Sequence, residues 1–149
     1  MDHKITDHKI ILTRGIPGSG KTHYANQWVV RDPEHRIRIN NDDIRNMLGP
    51  YWITSRESLV NHIRRTSIAA ALQRGYSIIL DNTNLSTKYI NEVYNILRET
   101  GCADIYDVEY RNFPTPVDEC IKRDAIRERP IGEKVIRDMY ERAKSLIYI

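Results

Sequence analysis

The sequence has no segment that would direct or anchor the chain in a membrane. None of its apolar runs approaches the roughly 20 residues of a spanning helix. The opening Met1-Asp2-His3-Lys4 lacks the apolar core of a signal peptide. Internal repeats and low-complexity segments are also missing. We therefore expect a soluble, cytoplasmic protein without membrane contact, in which residues 1–149 form a single domain.

Cysteine is scarce, and no charge of one sign dominates. Cys102 and Cys120 have neither the spacing of zinc ligands nor a Cys-x-x-Cys motif, which argues against a zinc site and favours two reduced thiols. The net charge of +3 permits a polyanionic partner but does not require one. With 40% hydrophobic and 29% charged residues, the composition is that of a globular protein rather than a disordered one.

Short apolar runs alternate with amphipathic stretches along the chain, which predicts a parallel sheet covered by helices. Strands are predicted at 9–13, 37–40, 77–80 and 104–110. Helices are predicted at 21–30 and at 42–48, the second ending before Gly49-Pro50. A third helix is predicted from a capping box at Thr54-Ser55-Arg56-Glu57 to Arg74, and a fourth from Ser86 to just before Gly101. The last two are predicted from Thr115-Pro116 onward, with Pro116 in the first position, and at 133–147, where one face carries Val135, Ile136, Met139, Tyr140, Ala143 and Ile147.

The first predicted strand leads into a glycine-rich loop that carries the clearest chemical signal. Its sequence is Gly15-Ile16-Pro17-Gly18-Ser19-Gly20-Lys21-Thr22, which fits the pattern G-x-x-x-x-G-K-[ST] between a strand and a helix. Such a loop turns its backbone N–H groups toward phosphate oxygens, and the helix N-terminus adds partial positive charge. We therefore predict ATP or another nucleoside triphosphate as phosphate donor, with Lys21 on the β- and γ-phosphates and Thr22 on Mg²⁺. The alternative is a glycine-rich turn that binds nothing. The predicted nucleotide-binding residues of the loop are Gly15, Pro17, Gly18, Ser19, Gly20, Lys21 and Thr22.

A second polar segment, Asn40-Asn41-Asp42-Asp43-Ile44-Arg45, follows the second strand. Ligands of parallel α/β sheets bind at the carboxyl ends of the strands, so Asp42 should lie near the γ-phosphate and could accept the proton of an attacking hydroxyl. The alternative is that Asp42 caps the following helix. Arg45 lies one turn further on and could pair with Asp42 or hold an anionic group of the acceptor.

The third strand ends in Asp81-Asn82-Thr83-Asn84. An acidic residue at this position resembles a Walker-B element, which holds Mg²⁺ or its water. We therefore predict Asp81 as a metal-binding residue together with Thr22. A polar turn closed by an Asx hydrogen bond is the alternative.

Basic residues cluster near the end of the chain at Lys122, Arg123, Arg127 and Arg129. An arginine near the γ-phosphate stabilises the transition state of phosphoryl transfer, and the turn that follows, Arg-Glu-Arg-Pro-Ile-Gly, would suit a lid. The alternative is a solvated basic helix end. The full set of features predicts an α/β P-loop kinase fold, with a parallel sheet of four or five strands flanked by helices and a helical lid.

These motifs, in this order, resemble the kinase domain of phage-type polynucleotide 5′-hydroxyl kinase over nearly the whole chain. The resemblance rests on 9–13, the loop 15–22, the segment 40–45, the segment 81–85 and the basic segment before Val135-Ile136-Arg137-Asp138-Met139-Tyr140. It implies ATP-dependent phosphorylation of the 5′-hydroxyl ends of DNA or RNA in nucleic-acid repair, in the host cytoplasm if the gene is a phage gene. It also implies Asp42 as general base, Arg45 on the acceptor phosphate, Asn82 and Thr83 on the substrate side, and Arg127 as the lid arginine, assisted by Arg123.

Two positions depart from that family. Its acidic residue in Ser-Asp-Thr-Asn-Leu stands one place later than Asp81, which leaves the role of Asp81 open. The segment before Pro130 is shorter, so that Arg127 and Arg129 compete for the lid role. The phage enzyme also has a phosphatase domain without counterpart in these 149 residues. We therefore expect no 3′-phosphatase activity, and a separate ligase or phosphatase as a partner.

Residues on the predicted acceptor side fit a nucleic acid without proving one. Aromatic rings there could stack on a terminal base while arginines follow the backbone; ordinary helix packing and a solvated helix face are the alternatives. The main rival function is a small-molecule kinase of the same fold, acting on a nucleotide, sugar acid or antibiotic. A module that hydrolyses ATP to drive conformational change is a third reading. The residues concerned are Tyr51, Trp52, Arg56, Arg64 and Arg65.

Overall fold

Four parallel strands form one sheet in the order β2-β3-β1-β4 in the computed structural model, which describes residues 8–49 and 52–148. The strands are β1 Lys9–Arg14, β2 Arg36–Ile39, β3 Ser77–Leu80 and β4 Asp107–Asn112. The order places β1 beside β3, with Leu12 opposite Leu80. The loops that leave these two strands therefore meet at one edge of the sheet, where ligands of such sheets bind.

In the described part of the chain, six α-helices connect and flank the strands. They are α1 Lys21–Val30, α2 Asn41–Leu48, α3 Glu57–Gln73, α4 Thr87–Thr100, α5 Val117–Ala125 and α6 Glu133–Ile147, with a 3₁₀ turn at Thr54–Arg56 before α3. Helices lie on both faces of the sheet. The predicted α/β fold is thus confirmed, with four strands.

The buried side chains form three clusters. Two of them lie on opposite faces of the sheet, because strand residues alternate between the faces. On one face, Ile10 and Leu12 pack with buried side chains of α3 and α4, such as Ile68 and Val93. On the other face, Ile11 and Ile79 pack against Ala25 and Trp28 of α1. The third cluster joins α5 and α6 to the loop after β1 through Ile16, Cys120, Ile136, Ala143 and Ile147.

The predicted start of β4 and the predicted capping box before α3 are wrong. Strand β4 begins at Asp107 rather than 104, because the preceding residues form a turn in which the N–H groups of Ile105 and Tyr106 donate to the carbonyl of Cys102. The predicted capping box at Thr54 does not form, since the 3₁₀ turn leads directly into α3 and no described side chain caps either element.

The last two helices also differ from their predicted details. Pro116 precedes α5 as its N-cap instead of occupying its first position. Val135 is 42% exposed and lies off the apolar face of α6. Ile136, Ala143 and Ile147 are buried as predicted.

Within the described residues, no helix has both the length and the apolar character needed to cross a membrane. Pro50 and Tyr51, which were a predicted helix break and a candidate stacking aromatic, lie outside the described residues. The opening segment examined for a signal peptide lies outside them as well.

Candidate active site

The loop after β1 is shaped by glycines that have a left-handed backbone or little room for a Cβ. Gly18 has φ 83°, and a Cβ there would stand 2.6 Å from the carbonyl oxygen of Cys120. Gly20 has φ 103° and immediately precedes α1. At Gly15, a Cβ would lie 2.4 Å from the Oγ of Ser19. The left-handed backbone and the close contacts together require glycine.

The first turn of α1 faces the same loop. No described side chain caps this helix, and its first turn contains no acidic residue. Helix N-termini leave backbone N–H groups without intrahelical partners. Because these groups lie beside the loop, they are available to an anion such as a phosphate. Pro17 and Ser19 are buried inside the loop, where the Ser19 N–H donates to the Ile16 carbonyl at 3.2 Å.

Lys21 places its ammonium group inside this loop. Its Nζ donates to the carbonyl of Ile16 at 2.9 Å and to the Oγ of Ser19 at 3.4 Å. Burial is the main cause that lowers the pKa of Lys21 to about 8; the charge of Arg127 lowers it further, and the carboxylates of Asp81 and Asp42 raise it. The structure therefore brings Asp81, Arg127 and Asp42, three predicted site residues, within electrostatic reach of Lys21.

Asp81 follows β3 and is the most buried carboxylate at this edge, with a side chain 1% exposed. Its Oδ2 accepts a hydrogen bond from the Thr22 hydroxyl at 2.8 Å and another from the Arg38 Nε at 2.8 Å. Its Oδ1 is buried and accepts no hydrogen bond from any described residue. The predicted proximity of Thr22 and Asp81 is thus found.

Thr22 and Asp81 fit a hard divalent cation. Mg²⁺ takes oxygen ligands and is usually held by one or two protein oxygens together with substrate phosphates. A hydroxyl, a carboxylate oxygen without a hydrogen-bond donor and a phosphate-binding loop meet here. The described residues hold no cluster of three or more His, Cys, Asp or Glu side chains able to bind a metal.

Asp42 lies in the first turn of α2, and it does not cap the helix. The cap is Asn40, whose side-chain oxygen accepts from the N–H of Asp43 at 2.9 Å. The capping alternative for Asp42 is therefore wrong. The Asp42 side chain is 68% exposed, and its Oδ1 accepts a 2.7 Å hydrogen bond from the Nη1 of Arg45.

Arg45 is the centre of the acceptor side. Besides Asp42, it binds Glu57 through two hydrogen bonds, from Nε at 3.0 Å and from Nη2 at 2.8 Å. Its guanidinium also lies over the ring of Trp52, 4.6 Å from the ring centroid. Trp52 is 63% exposed, so packing into the core does not account for it.

Asn82 and Thr83 lie at the end of β3, next to α2. The Oδ1 of Asn82 accepts from the N–H of Asn41 at 2.9 Å. Thr83 lines a small open pocket of about 50 Å³ together with Asn41, Asn82 and Tyr89. Both residues therefore lie on the same side as Asp42, as predicted.

The predicted lid is a turn between α5 and α6 that lies beside the loop. The Nη1 of Arg123 donates to the carbonyl of Gly18 at 3.1 Å. Arg127 is 47% exposed and lies 3.7 Å from the carboxylate of Asp124. Arg129 lies further along the same turn. Arg123 contacts the loop backbone, and the charge of Arg127 lowers the pKa of Lys21.

Two residues of the site region were not predicted from the sequence, Arg38 and Asp124. Arg38 of β2 binds Asp81. The alternation of side chains along a strand does not indicate which acidic residue an arginine of that strand contacts. Asp124 is 2% exposed and accepts from the backbone N–H groups of Ile131 and Gly132, each at 2.9 Å. The sequence signal that could have identified Asp124 is an acidic residue at the basic end of a helix.

The position of Arg64 also differs from both alternatives predicted for it, a solvated helix face and contact with a nucleic-acid backbone. It is 4% exposed, so it neither lies on a solvated face nor can follow a nucleic-acid backbone from there. Its guanidinium donates to Glu92 at 2.6 Å and to Asn61 at 2.8 Å, and it lies over the ring of Tyr89. Arg65 remains 43% exposed on the same helix.

Comparison with known proteins gives a family and a fold. A family model described as an AAA domain, AAA_33, matches residues 10–146. The L-seryl-tRNA(Sec) kinase of Methanococcus maripaludis is 28% identical over 136 residues, which cover 89% of this chain and 51% of the relative. The chain thus spans about half the length of this curated relative.

Solved structures agree with the family. Two structures of the Pnkp1/Rnl/Hen1 complex, the second described as an RNA repair complex, contain a similar chain. The first matches with TM-score 0.65 and 25% identity over 83% of this chain and 41% of that one. The second matches with TM-score 0.73 and 23% identity over 97% and 46%. Shikimate kinase from Acinetobacter baumannii, in complex with shikimate, matches in fold with TM-score 0.53 and 19% identity over 95% and 78%. The match over residues 10–146 shows that this chain belongs to the AAA_33 family of AAA domains, and its parallel four-stranded α/β fold is that of the P-loop kinases.

Proposed function

We propose that this chain transfers the γ-phosphate of ATP to the 5′-hydroxyl end of DNA or RNA. The observation that carries the proposal is the position of Arg45. It binds the carboxylate of Asp42 at 2.7 Å and stacks on the exposed ring of Trp52 at 4.6 Å. A candidate base, a cation and an exposed aromatic ring thus lie next to one another on the acceptor side. This arrangement suits a hydroxyl carried by a nucleoside.

The donor side would hold the triphosphate of ATP. The loop N–H groups and the N-terminus of α1 would bind the phosphate oxygens, and Lys21 would contact the β- and γ-phosphates. Arg127 would neutralise the donor phosphates from the lid, assisted by Arg123. Thr22 and Asp81 would hold Mg²⁺, which neutralises phosphate charge when bound.

The reaction then follows from the acceptor and donor positions. Asp42 accepts the proton of the 5′-hydroxyl while the hydroxyl oxygen forms a bond to the γ-phosphorus. The bond from that phosphorus to the β,γ-bridging oxygen breaks, and ADP leaves. Lys21 and Arg127 stabilise the charge that is spread over the transferring phosphoryl group. The products are a 5′-phosphate end and ADP, and the proton rests on Asp42.

Acceptor binding would rest on Arg45 and Trp52, with Asn82 and Thr83 nearby. Arg45 would contact the phosphate next to the terminal nucleoside, and Trp52 would stack on its base. The names of the similar proteins, an RNA repair complex and a kinase of a seryl-tRNA, support a hydroxyl that is attached to a nucleic acid. We include in the proposal a cytoplasmic location and a separate ligase or phosphatase as partner.

A second candidate is a kinase of a different hydroxyl within the same fold. The relative named L-seryl-tRNA(Sec) kinase favours a serine hydroxyl on tRNA, and the fold of shikimate kinase favours a small acceptor. The exposed ring of Trp52, which lies against Arg45, has no evident use with a small acceptor.

An acceptor panel tests these functions. The protein is incubated with radiolabelled ATP, Mg²⁺ and one acceptor at a time: DNA and RNA oligonucleotides with a 5′-hydroxyl, the same oligonucleotides with a 5′-phosphate, seryl-tRNA, nucleotides and sugars. We expect label only on the 5′-hydroxyl ends. Label confined to seryl-tRNA or to small molecules would establish the second candidate, and phosphate release without an acceptor would indicate an ATPase.

A further inference from the structure

We propose that Arg38 makes Asp81 a one-oxygen metal ligand, so that a divalent cation binds there only together with the nucleotide. The inference rests on the proposed metal-binding role of Asp81 and Thr22 and goes beyond it, because it assigns the metal requirement to a residue of β2. Arg38 is a positioning residue in this account, since it acts on the cation through Asp81.

The hydrogen bonds of Asp81 divide its two oxygens. Oδ2 accepts from the Nε of Arg38 and from the hydroxyl of Thr22, both at 2.8 Å. Oδ1 is buried and has no hydrogen-bond partner among the described residues. Arg38 therefore fixes the carboxylate in the orientation that leaves Oδ1 for a cation, and a bidentate contact is blocked.

The charges around Asp81 oppose a cation that arrives alone. The carboxylate is paired directly with Arg38 at 2.8 Å, and it also interacts with the charge of Lys21, whose pKa it raises. A bare divalent cation would enter a site whose one buried carboxylate is already paired. The phosphates of a bound nucleotide add several negative charges at Lys21 and reverse this balance.

Arg38 also connects the metal side of the site to the acceptor side. Its Nη1 donates to the carboxylate of Asp43 at 2.5 Å, and Asp43 is the neighbour of Asp42 in α2. The Nδ2 of Asn40, the cap of α2, donates to the backbone carbonyl of Asp81 at 2.6 Å. The position of Asp81 is thus tied to the helix that carries the candidate base.

The experiment measures metal binding directly and needs no turnover. Protein-bound Mn²⁺ is measured by electron paramagnetic resonance, with and without a non-hydrolysable ATP analogue, for the wild-type protein, Arg38→Gln and Arg36→Gln. Arg36→Gln is the matched control, because it removes the same charge from the same strand at a side chain that donates to the carbonyl of Trp28.

We expect weak Mn²⁺ binding to the wild-type protein and to Arg36→Gln without the analogue, and tight binding with it. Arg38→Gln should bind Mn²⁺ without the analogue about tenfold more tightly or better, because the buried carboxylate has lost its counter-charge. Arg38→Lys keeps the positive charge and should stay close to the wild type, whereas a merely structural role of Arg38 would change the melting temperature and leave the Mn²⁺ affinities unchanged.

Three results would overturn the inference or its foundation. Tight Mn²⁺ binding by the wild-type protein without nucleotide overturns it even if Arg38→Gln does not fold. If Arg38→Gln and the wild type have equal Mn²⁺ affinities and Asp81→Asn loses binding, the role of Arg38 is overturned, whereas the metal-binding role of Asp81 is not. Unchanged Mn²⁺ binding in Asp81→Asn overturns the metal-binding role of Asp81 in the proposed function.

Discussion

Asn40 caps α2, whereas Asp42, two residues further on, is the proposed base, and a pair of single substitutions tests this difference. Asp42 is 68% exposed, and its carboxylate pairs with Arg45. We predict that Asp42→Asn lowers kcat by about 100-fold or more, because the acceptor of the hydroxyl proton is lost. The affinity for ATP and the melting temperature should stay close to those of the wild type, as measured by calorimetry and thermal denaturation.

The matched substitution is Asn40→Ala, which removes the helix cap. It should lower the free energy of unfolding by about 1 kcal/mol. A clear loss of stability in Asp42→Asn, with kcat unchanged, would contradict the assignment of these two roles.

Lys21 gives the site a pH dependence that can be derived from its burial. Its pKa is lowered from 10.5 to about 8 in the folded chain, with burial as the main cause. Between these two values the unfolded chain binds more protons than the folded chain. The contribution of Lys21 to the free energy of unfolding therefore rises with pH in this window, because burial of the charged ammonium is unfavourable below it.

Nucleotide binding should show the opposite trend. Phosphates favour the protonated ammonium, so we predict that the affinity for an ATP analogue falls as the pH rises above about 8, and that binding in this range takes up a proton. Calorimetry in two buffers with different ionisation heats measures that uptake. Lys21→Ala should abolish phosphoryl transfer and bind the analogue weakly at every pH. A proton uptake that persists in this variant would place the titrating group elsewhere.

At the scale of elements, the turn between α5 and α6 is held by one buried carboxylate. Asp124 accepts from two backbone N–H groups on the far side of the turn, at 2.9 Å each, and lies 3.7 Å from Arg127. We predict that Asp124→Ala lowers the free energy of unfolding by about 3 kcal/mol, because two backbone N–H groups lose a buried, charged acceptor. It should also raise the KM for ATP, because Arg127 loses its support.

Asp118 of the same helix provides the control for Asp124. Its side chain is 82% exposed and pairs with Arg137, so Asp118→Ala should change the free energy of unfolding by less than about 0.5 kcal/mol. Urea unfolding of both variants measures the difference. Equal effects of the two substitutions would show that the turn does not depend on Asp124.

The elements themselves could be predicted largely because their signals are local. The predicted bounds 21–30, 77–80 and 133–147 coincide with α1, β3 and α6, since hydrophobic periodicity and neighbouring glycines mark them. The start of β4 was missed because a turn around the Cys102 carbonyl replaces the strand there. The capping box failed because a 3₁₀ turn competes with it.

The site was predictable only in part, for a related physical reason. Lys21 and Thr22 follow from a contiguous motif, and the structure places them beside Asp81 as expected. The contacts of Arg38 with Asp81, and of Arg64 with Glu92, join residues 43 and 28 positions apart. Such pairs depend on strand order and helix packing, which charge patterns along one chain do not encode. The catalytic roles of the site residues stay predictions.

At the scale of the whole molecule, contacts join the α5–α6 pair to the sheet through the phosphate-binding loop. Ile16 of the loop is fully buried in the cluster formed by α5 and α6, and the Thr115 hydroxyl donates to the carbonyl of Ser19 at 2.8 Å. The loop itself is continuous with β1, an inner strand whose side chains enter the cores on both faces. We therefore propose that the 149 residues fold as one domain.

This proposal predicts a single unfolding transition. The chain has two tryptophans; Trp28 is 6% exposed against the sheet, whereas Trp52 is 63% exposed. In Trp52→Phe, the fluorescence of Trp28 therefore reports the sheet core, while far-ultraviolet circular dichroism reports all helices, including α5 and α6. The two signals should follow one curve in urea. A nucleotide analogue at 100 times its dissociation constant should add about 2.7 kcal/mol to the free energy of unfolding in both signals. If the helical signal fell before that of Trp28, and the nucleotide removed the early phase, the α5–α6 pair would be a separate unit that docks on the loop.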